Sequence, residues 1–334
     1  SYAVTLTTGG VSVTHTLSVT DVNEPQTFTT HVISTNADAA TSVYAVDLDG
    51  DGDVDVLSSS NDDDKIAWYK NDGSQGFTEI VISTGVDGAR SVHAVDLDGD
   101  GDMDVLSASN YDETIAWYKN DGSENFTKIN VTTSANGATN VYAADLNEDG
   151  HMDVLAASDV DDKITWYEND GSENFTTHTI GTSIADVRFV RVADLDGDGD
   201  LDVLSASNDD DTIAWYKNDG SENFTKIAIA TDADGARTVH AVDMDGDGDL
   251  DVVSASNDDD TVAWYRNDGS ENFTKIAITT DADGARGSYV ADLDGDGDID
   301  VLSASQHDNT IAWYENDGSE NFTKIAISTA ATGA

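Results

Sequence analysis

The sequence predicts an all-β chain, a β-propeller of six four-stranded blades, and three observations lead there. One unit recurs: Trp68, Trp117, Trp166, Trp215, Trp264 and Trp313 stand 49 residues apart, and Phe28, Phe77, Phe126, Phe175, Phe224, Phe273 and Phe322 keep the same step. Within each unit lie four short apolar runs separated by Gly, Asn and Asp, with no helical periodicity. In the third run of the first unit, Ile66 and Trp68 face one way and Ala67 and Tyr69 the other, so each small sheet needs cover on both faces. Four-stranded sheets stacked face to face about an axis supply that cover and leave only short edges. A solenoid is the competing architecture, but a 49-residue repeat suits a blade better than a coil. Seven blades are the alternative count, with the N-terminal segment or flanks beyond this chain completing the ring.

Taken in order, residues 1–25 form a region of their own, and residues 26–334 carry the repeats. Val4 and Leu6, then Leu17 and Val19, alternate with polar residues as in a β-hairpin. An isolated hairpin is marginal in water and exposes its edges, so it is expected to pack on the propeller, supply a seventh blade, or pair with another chain. Thr27–Ser34 reads as a spare fourth strand. The chain ends at Ala334, which aligns with Ala285, just before a further first strand would begin. The four strands of the first unit, A to D, are expected at Val43–Leu48, Asp55–Ser60, Lys65–Lys70 and Phe77–Ser83. Asn71-Asp72-Gly73 between C and D carries the Asp-Gly signal of a tight hairpin.

Between A and B every unit holds alternating acidic residues around a glycine. The candidate metal ligands are Asp47, Asp49, Asp51, Asp53 and Asp55 in the first unit and Asp96, Asp98, Asp100, Asp102 and Asp104 in the second. The third unit departs, with Asp145, Asn147, Asp149, His151 and Asp153. The pattern returns with Asp194, Asp196, Asp198, Asp200 and Asp202, with Asp243, Asp245, Asp247, Asp249 and Asp251, and with Asp292, Asp294, Asp296, Asp298 and Asp300. Carboxylates at alternate places of a curling loop converge on one point, and Gly permits the sharp turn. A hard cation with six to eight oxygen ligands suits such a cage, Ca²⁺ better than Mg²⁺, so about six Ca²⁺ are expected, one per loop. At the seventh place the ligand would be the backbone carbonyl. The closing carboxylate comes at the ninth place and no helices flank the loop, unlike an EF-hand. The third loop is expected to be weakest, because Asn147 replaces a carboxylate.

Asp-Leu-Asp-Gly-Asp-Gly-Asp-x-Asp-Val, followed by Ile-Ala-Trp-Tyr-x-Asn-Asp-Gly-Ser-x-x-Phe-Thr, resembles the FG-GAP/VCBS repeats of bacterial surface and secreted proteins, and the loop is similar to that in the propeller of integrin α chains. The resemblance covers roughly residues 26–334. It implies a calcium-bound propeller, usually seven-bladed, in adhesion or ligand binding. Phe-Thr stands where the eponymous Phe-Gly would, and no particular ligand carries over. Asp21-Val-Asn-Glu-Pro25 and the strands before it resemble the end of a cadherin-like module.

The edge opposite the acidic loops varies more, which suits recognition. One column there reads Asp62, Tyr111, Val160, Asp209, Asp258 and His307. A second, entering strand A, reads Thr41, Arg90, Thr139, Arg188, Arg237 and Arg286. A third, inside strand A, reads Tyr44, His93, Tyr142, Arg191, His240 and Tyr289. These columns mark the place for a glycan or protein ligand, although the arginines also suit simple bridging of acidic loops. The tryptophan column is expected to be inter-blade core.

Composition narrows the function class. With 67 Asp+Glu against 15 Lys+Arg the net charge is −52, which excludes a basic nucleic-acid footprint and docking on anionic lipid. Apolar residues at 38% suffice for a core, so the acidity is not that of a disordered chain. No apolar run is long enough to enter a membrane, cysteine is absent, and any export signal is expected outside this chain. No histidine repeats beside a nucleophile, so an enzyme is not expected. The expected function is a non-enzymatic, extracellular or cell-surface calcium-binding propeller in adhesion or recognition within a larger surface protein. The alternatives are a structural subunit of a surface layer or filament, with self-assembly through the N-terminal hairpin, and a propeller-type polysaccharide lyase.

Overall fold

The computed structural model describes residues 28–331, together with the backbone of two N-terminal strands, β1 (Tyr2–Thr8) and β2 (Val11–Leu17). A short β3, Thr29–His31, joins them in a three-stranded sheet of order β1-β2-β3. The expected spare strand is thus three residues long, and it extends the N-terminal hairpin. The cadherin-like junction Asp21–Pro25 lies outside the described residues.

The first blade consists of β4 (Ala40–Val46), β5 (Asp55–Ser60), β6 (Lys65–Asn71) and β7 (Phe77–Ser83), paired antiparallel in that order. Five further four-stranded sheets repeat it, with A strands starting at Ala89, Ala138, Val187, Ala236 and Ala285. The fold is all-β, a six-blade β-propeller. Seven blades are not what the described residues form: the remaining sheet has three strands.

Strands B and D fall where the sequence places them, strand C runs one residue further, to Asn71, and strand A is displaced. It starts at Ala40 because Ala40 already pairs with Ser60, across a bulge before Ser42. It stops at Val46 because the Asp47 carboxylate turns back to accept the N–H groups of Asp51 and Gly52 at 3.1 and 2.9 Å. The C–D connection is also longer than a two-residue hairpin. Asp72–Gly76 form a five-residue loop closed by the Asp72 N–H to the Gly76 carbonyl at 2.9 Å, with the Asp72 side chain accepting from Ser74 and Gly76.

Each sheet is covered on both faces, as the strand-C pattern requires. Ile66, Ala67, Trp68 and Tyr69 are all buried. Ile66 and Trp68 of the first blade share a core with Ala116 and Tyr118 of the second, so the two faces of successive strands C meet. The same arrangement joins the second blade to the third, the fourth to the fifth and the fifth to the sixth. The tryptophan column is therefore inter-blade core. Trp68 meets the edge of Phe126 at a centroid distance of 6.4 Å, an aromatic pair worth about 0.5–1.5 kcal/mol beyond its buried area. Strand B uses Ser and Ala where a large side chain has no room, and the buried Tyr265 and Tyr314 hydroxyls meet Ser254 and Ser303 across the ladder at 3.4 and 3.3 Å. Residues 31–184 and 185–334 form two compact units holding blades one to three and four to six. No helix of the described residues is long and apolar enough to cross a membrane.

Candidate functional site

In every blade the ninth residue of the A–B loop fastens that loop to the C–D turn. Asp55 is fully buried, and its two oxygens accept the backbone N–H of Leu48 at 3.1 Å and of Asn71 at 2.7 Å. Asp104, Asp153, Asp202, Asp251 and Asp300 repeat this bridge. The bridge places the A–B and C–D loops on one edge of the blade. Burial raises the Asp55 carboxyl above its ordinary range, and it pushes Asp104, Asp153, Asp202 and Asp251 up to about 6 and Asp300 to about 7. The Trp68 indole N–H favours the charged form of Asp55 without completing a hydrogen bond.

Around each anchor the loop gathers further carboxylates. Asp47, Asp49 and Asp55 each bring an oxygen within 4.8 Å of the others. The same trio forms at Asp96, Asp98 and Asp104, at Asp194, Asp196 and Asp202, at Asp243, Asp245 and Asp251, and at Asp292, Asp294 and Asp300. In the third loop Asn147 takes the middle place, leaving Asp145 and Asp153 as the carboxylates of that trio.

The structure does not bring the other candidates into these trios. At the fifth place, Asp51, Asp100, Asp149, Asp198, Asp247 and Asp296 turn their carboxylates to the N–H two residues on, at 2.9–3.0 Å. At the seventh place, Asp53, Asp102, His151, Asp200, Asp249 and Asp298 lie against the glycine of the C–D turn. A methyl group on Gly73 would sit 2.5 Å from the Asp53 carboxylate.

The donor set fits a hard cation. Three carboxylates converge, and the Asp49, Asp194 and Asp196 Oδ1 atoms are buried without a hydrogen-bond partner. Oxygen donors of this charge suit a hard cation, with the remaining ligand places left to backbone or water. The sequence reading missed one contributor, the residue after Trp-Tyr on strand C. Lys70, Lys119 and Lys217 reach the middle aspartates Asp49, Asp98 and Asp196 as ion pairs. The aligned column Lys70, Lys119, Glu168, Lys217, Arg266, Glu315 was the available signal.

On the opposite edge, Tyr111 and Val160 of the B–C loops are exposed, at 61% and 62%. Tyr44, His93 and Tyr142 pack on one another, with centroids 4.9 and 4.6 Å apart. His240 is buried beside Tyr289, and its Nε2 lies 2.8 Å from the Ser288 carbonyl. Arg188 pairs with Asp186 at 2.6 Å. Burial, then the neighbouring Arg188 and Arg286, lowers the Arg237 guanidinium below its usual value. Ring contacts thus engage Tyr44, His93, Tyr142 and His240, while Tyr289, at 56% exposure, and the B–C loop residues stand open.

A family profile described as FG-GAP-like repeat matches residues 47–107, 96–156, 145–205, 194–254, 243–303 and 292–334. Comparison with curated protein sequences gives no match. Among solved structures, the chain is similar to an Agrocybe aegerita lectin described by its specific recognition of non-reducing terminal N-acetylglucosamine, at TM-score 0.67 and 18% identity over 98% of this chain and 90% of that one. It is similar to a Lactobacillus plantarum protein at TM-score 0.69 and 19% identity, over 98% and 94% of the two chains. A functionally unknown protein of Desulfotomaculum acetoxidans follows at TM-score 0.62 and 12% identity, over 97% and 94%. At these identities the likeness shows the fold.

Proposed function

This chain belongs to the FG-GAP-like repeat family, and from that premise we propose that it is an extracellular, non-enzymatic propeller that holds Ca²⁺ in its A–B loops and acts in adhesion or recognition of a glycan or protein. One observation carries the calcium assignment: a trio of carboxylate oxygens within 4.8 Å, repeated in five blades around a buried aspartate. Mutual repulsion opposes bringing such groups together, and a divalent cation removes that cost. Asp47, Asp49 and Asp55 and their equivalents would hold the ion, which supplies charge neutralisation and cross-linking of the loop.

Recognition is assigned to the opposite edge, where the B–C loops present Asp62, Tyr111, Val160, Asp209, Asp258 and His307. That a propeller of similar fold is a lectin supports the glycan arm by analogy of fold alone. Calorimetric titration with Ca²⁺, followed by a glycan array run with Ca²⁺ and with chelator, tests both parts. Calcium uptake with glycan binding that Tyr111→Ser weakens is expected. No uptake removes the calcium assignment, and array binding indifferent to Tyr111 and Val160 removes this edge as the ligand site. Self-assembly through the N-terminal hairpin belongs to the same proposal. It predicts a smaller assembly when residues 1–25 are deleted, and unchanged size in gel filtration discards it.

A further inference from the structure

The six loops carry nearly the same aspartates, yet the strand-C side chain facing them changes sign from blade to blade. In blades one, two and four a lysine ammonium sits on the middle aspartate of its own loop and also on a glutamate of the next C–D turn: Lys70 reaches Glu124 at 2.6 Å, Lys119 reaches Glu173 at 3.3 Å and Lys217 reaches Glu271 at 2.8 Å. Those glutamates hold positive φ, 63°, 64° and 63°, a backbone region that non-glycine residues avoid. The ammonium also lies over the indole of its own blade, at 5.6, 5.7 and 5.6 Å. Arg266 of the fifth blade makes the cross-blade link to Glu320 at 2.7 Å and takes the same ladder place, paired with Thr274.

Blades three and six are opposite in sign. Glu315 holds the strand-C place of Lys70 and Lys217 in the sixth blade, paired with Thr323 as they are with Thr78 and Thr225. In the third blade, where Asn147 has replaced a carboxylate, Glu168 stands 3.5 Å from the Asn147 amide and returns to the site the charge that the loop has lost. Glu168 is fixed there by His178 Nε2 at 2.7 Å, with His178 stacked on Trp166.

We propose, on the assignment of these loops as calcium sites, that the residue after Trp-Tyr on strand C sets how tightly each loop takes its ion, so that loops three and six load before loops one, two, four and five. An entering Ca²⁺ meets an ammonium paired with the middle aspartate in three loops and a guanidinium at the same strand-C place in a fourth. In the other two it meets an additional carboxylate. Charge count around an oxygen cage tunes calcium affinity together with the rigidity of the site, and the partial burial of these groups limits screening by salt. Counting loop residues alone makes loop three the weakest; counting Glu168 places it among the tight sites.

The test is calorimetric titration of the intact chain with Ca²⁺, beside the reciprocal variants Lys217→Glu and Glu315→Lys. The parent is expected to show two tight and four weaker equivalents, separated by at least about tenfold in Kd. Glu315→Lys should move one equivalent from the tight class to the weak, and Lys217→Glu one equivalent the other way. If a charge reversal prevents folding, judged by circular dichroism, Lys217→Met and Glu315→Gln carry the same comparison with smaller shifts of the same sign. Six equal sites, or variants that keep the parental isotherm, overturn this inference and leave calcium binding standing. A parent that takes up no Ca²⁺ overturns both.

Discussion

One aspartate at the ninth place of each loop holds two backbone segments together. Asp202 accepts from Leu195 and Asn218 at 3.0 and 2.8 Å in a fully buried setting, whereas Asp198, at the fifth place of the loop, accepts a single N–H at 3.0 Å near the surface. Removing a buried acceptor leaves each donor unsatisfied at about 1–3 kcal/mol. Asp202→Ala should therefore cost about 2–5 kcal/mol even in chelator, and Asp198→Ala less than about 1.5 kcal/mol. Urea unfolding midpoints in excess chelator check this; equal losses would mean that the ninth residue is only a ligand. The spacing of the aspartates makes the loop legible in the sequence. It cannot separate a carboxylate that anchors the backbone from one that stays available to an ion, because both occupy alternate places of the same turn. Nor does it place the seventh residue, which the structure aims at the C–D glycine.

At the scale of the element, the C–D turn shows how neighbouring loops limit one another. Gly220 has φ +69°, and a Cβ there would lie 2.5 Å from the Asp200 carboxylate, while Gly197 has φ +72° with open space around it. Both positions resist a side chain through the left-handed backbone, by about 1 kcal/mol. Gly220→Ala should lose more than Gly197→Ala because the loop above must also move. Thermal melts of the two variants measure the difference, and equal shifts would show that the seventh-place side chain is free to swing away. The Asp-Gly signal correctly announced a turn, but Asp72 and its counterparts bond to residues two and four further on and so open the turn to five residues. Strand A was displaced for a related reason: hydrophobicity marks Leu48, which is buried under the loop and not in the ladder.

For the molecule as a whole, the architecture was the most legible feature, because a fixed period with two apolar faces per strand admits few packings. The ligand edge was less legible, since in the strand-A columns Tyr44, His93 and Tyr142 pack on one another whereas Tyr289 stands 56% exposed, and the sequence does not distinguish them. Stability should depend on metal far more than on ionic strength. Each Ca²⁺ bound only to the folded chain adds about 2.7 kcal/mol at one hundred times its Kd. Chelator should therefore lower the melting temperature, and added monovalent salt at matched ionic strength should not. An unchanged melt in excess chelator would exclude calcium as a structural ion.

Phe28 meets the indole of Trp313 edge-on at 6.2 Å, the place that Phe322 takes against Trp264 in the blade before. Phe126, Phe175, Phe273 and Phe322 each follow their tryptophan in the chain, and Phe28 precedes its own. During synthesis from the N-terminus, every blade boundary with a later phenylalanine can form as soon as the next sheet emerges. Phe28 must wait until the sixth sheet has left the ribosome. The entropy of closing so long a segment makes this contact slow to form. A nascent chain halted before Trp313 would hold the Phe28 ring without its aromatic partner, so the emergence of Trp313 itself sets the earliest moment at which this contact exists.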